Sequence, residues 1–578
     1  MENETALFCA GLIATKLIAY IVLDRDGSSN RSFTRFRTDD WTNKDLFAVS
    51  LAGCDRCAPR IKSAETERSP SLQLHAAVVF EQALSVHPAK PRGGASVEDL
   101  EKLYKELASQ SKVLRNCIQL PLDRSPAALP GNLLKLLREP SANPEATLSA
   151  AKLAALLTLT AGIRHRGTPE RPVRRWAASG GNLGSVELFL VTRGVAGLSA
   201  GTFFYQPKQH TLARLERWVE PFSVEEAIHL LTPAAPDAQA VIVFTSALSR
   251  LKSKYGPFAY KLSNLDTGVA IAQMHLVARS LGLWSQTQTL WPDDVAESMC
   301  ALSAKHERVT AVVALSGVRT NTLTSAGVRK YRLAIANETA MSEISCLGTD
   351  DLLDHLCAQS RTVQASLITT SAAPGGRDAP EIEHFERLVP PNIMHTLSIG
   401  AVLTGRRSVR SFSSSPVQLE QIGTLLYNAN ASDSINWPSE DTDDRSLVFF
   451  LAAKRVEGLT PALYRFDARD HMLHAASALP TPNQEKIFFR GHDYSSSAFF
   501  VWICGNLQAA CDSQGAFGYR SLLLRAGAAG NSMWLSALAL NLGGSLIAGI
   551  DSNAGGLPRT APYYAGLLGF IGGVSGVS

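Results

Sequence analysis

The feature that most constrains this chain is that it repeats itself. The stretch "WAASGGNLGSVELFLVTRGVAGLSAGTFFY" (176–205) returns as "WPSEDTDDRSLVFFLAAKRVEGLTPALYRF" (437–466), with no gap needed as far as Leu198. Trp176 meets Trp437, Val195 meets Val456, and Gly197-Leu198 meets Gly458-Leu459. Further on, "YKLSNLDTGVAIAQMHLVARSLGL" (260–283) returns as "YRSLLLRAGAAGNSMWLSALALNL" (519–542). There Tyr260, Gly268, Met274, Leu276, Ala278 and Leu281 meet Tyr519, Gly527, Met533, Leu535, Ala537 and Leu540. An earlier pair, "AAKLAALLTLTAGI" (150–163) and "LEQIGTLLYNANAS" (419–432), completes the register. The period is far too long for a solenoid. Each copy reads as an apolar-faced helix followed by a strand entry carrying Gly or Trp, so two units of one kind lie in the chain.

The 578 residues suffice for two or three domains. The Ala-, Pro- and Gly-rich segment "TTSAAPGGRDAPE" (369–381) reads as a linker between the copies. The reading that follows is an N-terminal region 1–130 without an assigned role, unit 1 over 131–368, and unit 2 over 382–578. Within the N-terminal region, "VEDLEKLYKELASQSKVL" (97–114) has the spacing of an amphipathic helix. The first residues, "MENETALFCAGLIATKLIAYIVLDRD", do not read as a signal peptide. Glu2 and Glu4 replace its basic region, and Lys16 interrupts an apolar run too short for a membrane span. A net charge of +4 with no basic stripe argues against a nucleic-acid partner. Nine scattered cysteines are not a disulfide framework and fit a reducing cytosol. Cys54 and Cys57 form a lone C-x-x-C without the second pair a zinc site needs, so no metal is expected. No G-x-G-x-x-G sits between a strand and a helix, so no separate NAD(P)H domain is implied.

One cluster has the chemistry of an anion grip. In "LTGRRSVRSF" (403–412), Arg406, Arg407, Ser408 and Arg410 precede a helix-like stretch. Guanidinium forks match phosphate oxygens bidentately, and a serine hydroxyl can donate to a ring or carbonyl acceptor. A solvated basic loop fits the same residues. So does a snorkelling lysine beside a packed tyrosine for Lys254-Tyr255.

"GRRSVRSFSSSPVQLEQIGTLLYNA" resembles the R-R-S-x-R-x-F opening and first helix of the nitroreductase superfamily. "WAASGGNLGSVELFLV…VAGLSAGTFFYQPKQHTLARL" (176–215) and "KYGPFAYKLSNLDTG" (254–268) resemble the SagB-type branch, which includes FMN-dependent azoline oxidases. The likeness spans roughly 130–570 as two copies. It implies an α+β fold in which two nitroreductase-like units pair, here as an intrachain pseudo-dimer with flavin sites at the interface. One unit would supply the arginine opening and a Gly-rich strand entry. The other would supply the Ser-Gly loop and the Lys-Tyr pair.

Scored against each other, the copies have lost complementary parts. The arginine opening is intact in the second copy, while the first has "LREPSANPEATLS" (137–149), keeping Arg138 and placing Ser141 opposite Arg410. "ASGGN" (178–182) in the first copy faces "SEDTD" (439–443), whose acids would repel a phosphate. Lys254-Tyr255 faces Ser513-Gln514, and Gly543-Gly544 faces Trp284-Ser285. The expectation is one composite FMN site. Arg406 and Arg410 would hold the phosphate, and Arg407 and Ser408 the ribityl chain or ring edge. Backbone near Gly543 and Gly544 would approach the ring, Ser179, Gly180, Gly181 and Asn182 would line it, and Lys254 and Tyr255 would do acid–base work. The resemblance implies a cytoplasmic FMN-dependent dehydrogenase or oxidase acting on a small-molecule, peptide or carrier-bound intermediate, foremost azoline to azole, with biosynthetic partner proteins. An NAD(P)H-dependent nitroreductase or flavin reductase and a flavin-less scaffold are the alternatives.

Overall fold

Runs of β-branched and aromatic residues in each copy become the centre of a seven-stranded sheet. In the computed structural model the described residues are 32–36, 43–47, 97–123, 128–139, 147–167, 173–215, 222–302, 306–318, 334–335, 362–363, 385–388, 397–437, 447–489, 492–514, 516–550 and 564–576. The N-terminal 31 residues, the Cys54–Cys57 pair, Ser141, the 369–381 segment and the acidic stretch 439–443 lie outside them. The chain divides into two compact units, Met1–Arg68 and Ser69–Ser578. In the first, strand Ser32–Phe36 pairs antiparallel with Asn43–Phe47. The second carries both copies of the repeat.

The first copy's strands are β1 (Gln119–Pro121), β2 (Val186–Thr192), β3 (Gly201–Gln206), β4 (Thr211–Arg214), β5 (Ala240–Ser246), β6 (Trp284–Thr287) and β7 (Arg308–Ser316). Their order across the sheet is β6-β7-β5-β2-β3-β4-β1, with every neighbour antiparallel. The second copy supplies β8 (Phe385–Arg387), β9 (Leu447–Ala453), β10 (Ala462–Asp467), β11 (Met472–Ser477), β12 (Phe499–Asn506), β13 (Gly543–Ile547) and β14 (Tyr564–Gly573). Their order is β13-β14-β12-β9-β10-β11-β8, again antiparallel throughout. The two orders are the same topology position for position. The inner strands β2, β5, β9 and β12 read "VELFLVT", "AVIVFTS", "LVFFLAA" and "FFVWICGN" and are buried along almost their whole length. Continuous apolar runs of this kind are what a sheet covered on both faces requires. The edge strand β1 lies upstream of residue 131. The expected amphipathic helix is present as α1 (Val97–Ser109), and the segment after it is tied to the sheet by a Leu114 N–H donating to Gln206.

The helices follow the same duplication. The first copy has α2 (Ala150–Ala161), α3 (Leu248–Tyr255) and α4 (Ala259–Ser280). The second has α5 (Ile399–Gly405), α6 (Leu419–Asn436), α7 (Leu507–Gln514) and α8 (Ala516–Ala539). All residues of α4 are buried, because the helix lies between its own sheet and α8. A helix without a polar face is buried on every side. Two glycines allow the crossing. A Cβ on Gly268 would overlap the Leu524 carbonyl oxygen, and one on Gly527 would overlap the Leu265 carbonyl oxygen. These are equivalent positions of the repeat, so the close approach is reciprocal. Tyr260 and Tyr519, also equivalent, stack at 6.0 Å with 20° between their planes.

Buried polar contacts also join the halves. Arg520 donates twice to Asp293, at 3.0 Å each, while stacking 4.4 Å over Trp291. Arg164 of the first half donates to the Leu403 and Thr404 carbonyls of the second. Arg406 of the second donates to the Trp176 and Arg175 carbonyls of the first, at 3.3 and 3.2 Å. The two arginines therefore reach across the same seam in opposite directions. The structure is that of two α+β units, each with its own seven-stranded sheet, paired within one chain.

Candidate functional site

A cavity of about 320 Å³ opens along this seam. Sites for small molecules fall in this size range. The first half contributes Ala178, Ser179, Gly180 and Gly181, Tyr255 from the end of α3, and Leu262, Leu265 and Asp266 from α4. The second half contributes Ser408 and Arg410 after α5, His492 and Tyr494 ahead of β12, Trp534 from α8, and Ser545–Gly549 running off β13.

The Ser-Gly loop is fixed by its own chemistry. Gly181 has φ of +57°, a region where side chains are disfavoured, and Asn182 follows at +57°. The Ser179 hydroxyl accepts from the Gly184 N–H at 2.9 Å, and the Asn182 amide donates to the Val173 carbonyl at 2.6 Å. The Gly180 N–H donates to Asp266 at 2.8 Å. Gly181 also has no room for a Cβ, which would overlap the Tyr255 hydroxyl and lie 2.9 Å from the Lys254 Nζ. The lysine and tyrosine heads thus converge on this one glycine. Lys254 is half-buried, its Nζ lies 5.3 Å from the centre of the Tyr255 ring, and burial holds its ammonium below the usual lysine range.

The arginine motif divides its labour. Ser408 and Arg410 line the cavity. The stretch is positioned by the Val409 N–H, which donates to the Gly544 carbonyl at 3.0 Å. Arg407 is exposed and does not line the cavity. Arg406 lies behind the wall, on the two carbonyls of the first half and 5.0 Å from the Trp534 ring centre. Burial and the nearby Arg164 push its guanidinium down to about 10. Gly543 and Gly544 also lie behind the wall. A Cβ on Gly543 would overlap the Ser575 hydroxyl and crowd Val409, and one on Gly544 would overlap Phe570. The lining backbone begins at Ser545. Asn182 and Lys254 are adjacent to the lining residues and are not among them.

Several lining residues escaped the sequence reading. Asp266 is buried but for its cavity side, accepting from Gly180 N at 2.8 Å and from the Ser185 hydroxyl at 2.5 Å. Burial raises its carboxyl to about 7, with the two hydrogen bonds acting against that rise. Tyr494 packs edge-on to Phe489 at 4.8 Å and stacks with His492 at 6.0 Å. Burial raises its phenol, and the charge of Arg410 opposes this. The buried indole N–H of Trp534 has no hydrogen-bond partner among the described residues. A signal for two of these was present: in the repeat, Asp266 stands opposite Arg525 and Trp534 opposite His275, both changes of chemical character.

The cavity can hold a flat, anionic group. It offers Arg410 and Ser408 at one wall, glycine backbone at another, and the Trp534 side chain beside them. These features suit FMN. Among the described residues there is no cluster of three or more His, Cys, Asp or Glu able to hold a metal, and no helix long and apolar enough to cross a membrane.

Comparison with known proteins agrees with the duplication. The chain is similar to a solved structure of a candidate nitroreductase from Anabaena variabilis, at 18% identity and a TM-score of 0.62 over 86% of this chain and 99% of that one. A candidate nitroreductase from Ralstonia eutropha matches at 15% identity and a TM-score of 0.25, over 36% of this chain and 99% of its own. The microcin synthetase McbBCD of E. coli, solved with truncated pro-MccB17 bound, matches at 19% identity and a TM-score of 0.27, over 39% of this chain and 85% of that one. No curated protein sequence matches significantly. The model of the nitroreductase family matches residues 142–317 and again 403–561, together more than half of the chain and one segment per copy, so the chain belongs to the nitroreductase family.

Proposed function

We propose that this protein is an FMN-dependent dehydrogenase or oxidase with a single composite flavin site, acting on azoline rings of a peptide or carrier-bound intermediate. Members of the nitroreductase family are flavin oxidoreductases that typically bind FMN. The observation that carries the reading is the seam cavity. Ser179–Gly181 and Tyr255 come from one half, and Ser408 and Arg410 come from the other. Neither half alone supplies both an anion-binding side chain and the Ser-Gly cradle.

FMN, when bound, supplies the hydride acceptor, and in an oxidase dioxygen then takes the electrons. The protein's contributions follow from its residues. Arg410, with Ser408, would hold the phosphate or ribityl oxygens by charge-assisted hydrogen bonds. Gly180 and Gly181 allow the ring to approach backbone, and the Trp534 side chain lines the same cavity. Oxidation of an azoline removes a proton from carbon as well as a hydride. Tyr255 presents its hydroxyl at the cavity, and Lys254 meets it at Gly181. Burial of Lys254 favours its free amine, the form that can accept that proton.

The test has two parts. Purified protein should bind about one FMN per chain, read from its visible spectrum and flavin quantitation. It should then oxidise an azoline-bearing peptide under air. Rapid anaerobic bleaching by NADPH alone, with no azoline turnover, would instead make it a flavin reductase. Failure to bind added FMN would make it a scaffold.

A further inference from the structure

Asp266 is a carboxyl group built into the wall of this cavity. Its only hydrogen bonds among the described residues come from uncharged donors, the Gly180 N–H and the Ser185 O–H. No described Lys, Arg or His forms an ion pair with it. The other residues of its helix that line the cavity are apolar, Leu262, Leu265 and Val269. The titratable or charged groups around the same space are Lys254 and Tyr255 beyond the Ser-Gly loop, and Arg410, His492 and Tyr494 on the opposite half. The site is thus a carboxyl in an apolar bed whose open side is the cavity itself.

Both protonation states can be satisfied there. Ionised, the carboxylate accepts from Gly180 and Ser185. Neutral, it keeps the Gly180 bond on one oxygen and donates from the other to the Ser185 hydroxyl, which can accept as well as donate. The Gly180 and Ser185 hydrogen bonds favour the charged form, and the cavity is the side from which water can reach it. A planar ring seated against Gly180 and Gly181 would close that side to water and leave the charge in a poorer medium.

We infer that Asp266 is a positioning residue that takes up a proton from solvent as the cavity fills, so that seating of the flavin ring against the Ser179–Gly181 loop is linked to its protonation. The inference rests on the flavin reading proposed above. It agrees with the elevated carboxyl of the empty cavity, raised to about 7 by burial. The sign is fixed: a group whose pKa is raised in the bound state favours binding at low pH and opposes it as pH rises.

The experiment is FMN titration of the flavin-free full chain by fluorescence quenching from pH 7 to 9, where a phosphate monoester with its second pKa near 6 stays dianionic. The wild-type Kd should weaken with rising pH by up to about tenfold per unit. Calorimetry in two buffers of different ionisation enthalpy should show net proton uptake. Asp266→Asn keeps an acceptor for Gly180 and should flatten the pH dependence. Ser185→Ala removes a donor to the carboxylate and should move the decline to higher pH. FMN binding with no proton uptake, or with the same pH dependence in all three proteins, overturns this inference and leaves the flavin site standing. No FMN binding by the wild type at any pH overturns both.

Discussion

Arg406→Ala separates a strut from a ligand-binding arginine. The side chain gives two charged hydrogen bonds to carbonyls of the other half, at 3.3 and 3.2 Å, both at the long end. Taking the weak end for such bonds, they contribute about 3 kcal/mol together. The contact with the Trp534 ring adds about 1 kcal/mol, and the buried aliphatic stem about another 1. Against this, burial and the like charge of Arg164 work against the guanidinium. The net expectation is a loss of about 2 kcal/mol or more, a downward shift of a few degrees in the unfolding of the flavin-free protein. Arg407→Ala, at an exposed position, should stay within about 0.5 kcal/mol of wild type. Arg410→Ala should leave flavin-free unfolding alone and weaken FMN binding about 10- to 100-fold, the worth of one charged contact. Thermal unfolding without flavin and FMN titration read the two quantities apart. If Arg406→Ala abolishes FMN binding but does not move flavin-free unfolding, the arginine acts on the phosphate and the strut reasoning is wrong.

Lys254→Ala and Tyr255→Phe should leave FMN bound and slow substrate oxidation by at least about 100-fold. The wild-type rate should rise with pH through a lysine pKa lowered by burial, and Lys254→Ala should lose that limb; an unchanged profile removes the lysine from the proton transfer. Gly268→Ala drives a Cβ into the Leu524 carbonyl, a backbone atom that cannot swing away, and should cost at least about 2 kcal/mol in chemical unfolding. A change below about 0.5 kcal/mol would mean that the helices separate without penalty.

The repeat made the architecture legible. Aligning Gly268 with Gly527 and Tyr260 with Tyr519 paired residues with equivalent places at the seam, where each glycine admits a carbonyl of the other helix and the tyrosines stack on each other. A glycine with a carbonyl against it and a tyrosine stacked on its twin leave few substitutes, so the sequence keeps a trace of the contact. The motif residues were less legible as geometry. A run such as Arg406–Arg410 names donors but not their directions, and the backbone turns one guanidinium to the cavity and another to the Trp176 carbonyl. Gly543 and Gly544 reserve space for Val409, Ser575 and Phe570, a demand made by residues adjacent only in the fold. Tyr494 and His492 could not be read at all, because their place at the cavity depends on the aromatic bed of Phe489.

The mirror position gives the strongest reason to expect one flavin. The duplication would carry the cavity's features to a second place, where Arg525 stands for Asp266 and His275 for Trp534. There Arg525 forms a bidentate pair with Asp433, at 2.9 and 2.6 Å, with both side chains almost fully buried. His275 is bonded through one ring nitrogen to Ser285 and through the other to Thr287. Its burial and the nearby Arg279 keep it neutral. Charge meets charge and donor meets acceptor without any ligand. At the cavity the opposite holds, since Asp266 has no cation and the Trp534 N–H has no acceptor among the described residues. A buried ion pair is expensive to open, about 3–5 kcal/mol if one partner is removed, so a ring could enter the mirror position only at that cost. The asymmetry can be challenged directly. Arg525→Asp together with Asp433→Asn restores a carboxyl at the position equivalent to Asp266, and should still yield about one FMN per chain, because in the repeat Ser141 stands where the anion-binding Arg410 would be needed and the acidic stretch 439–443 where the Ser-Gly loop would. Two flavins per chain in the wild type would refute the single-site argument outright.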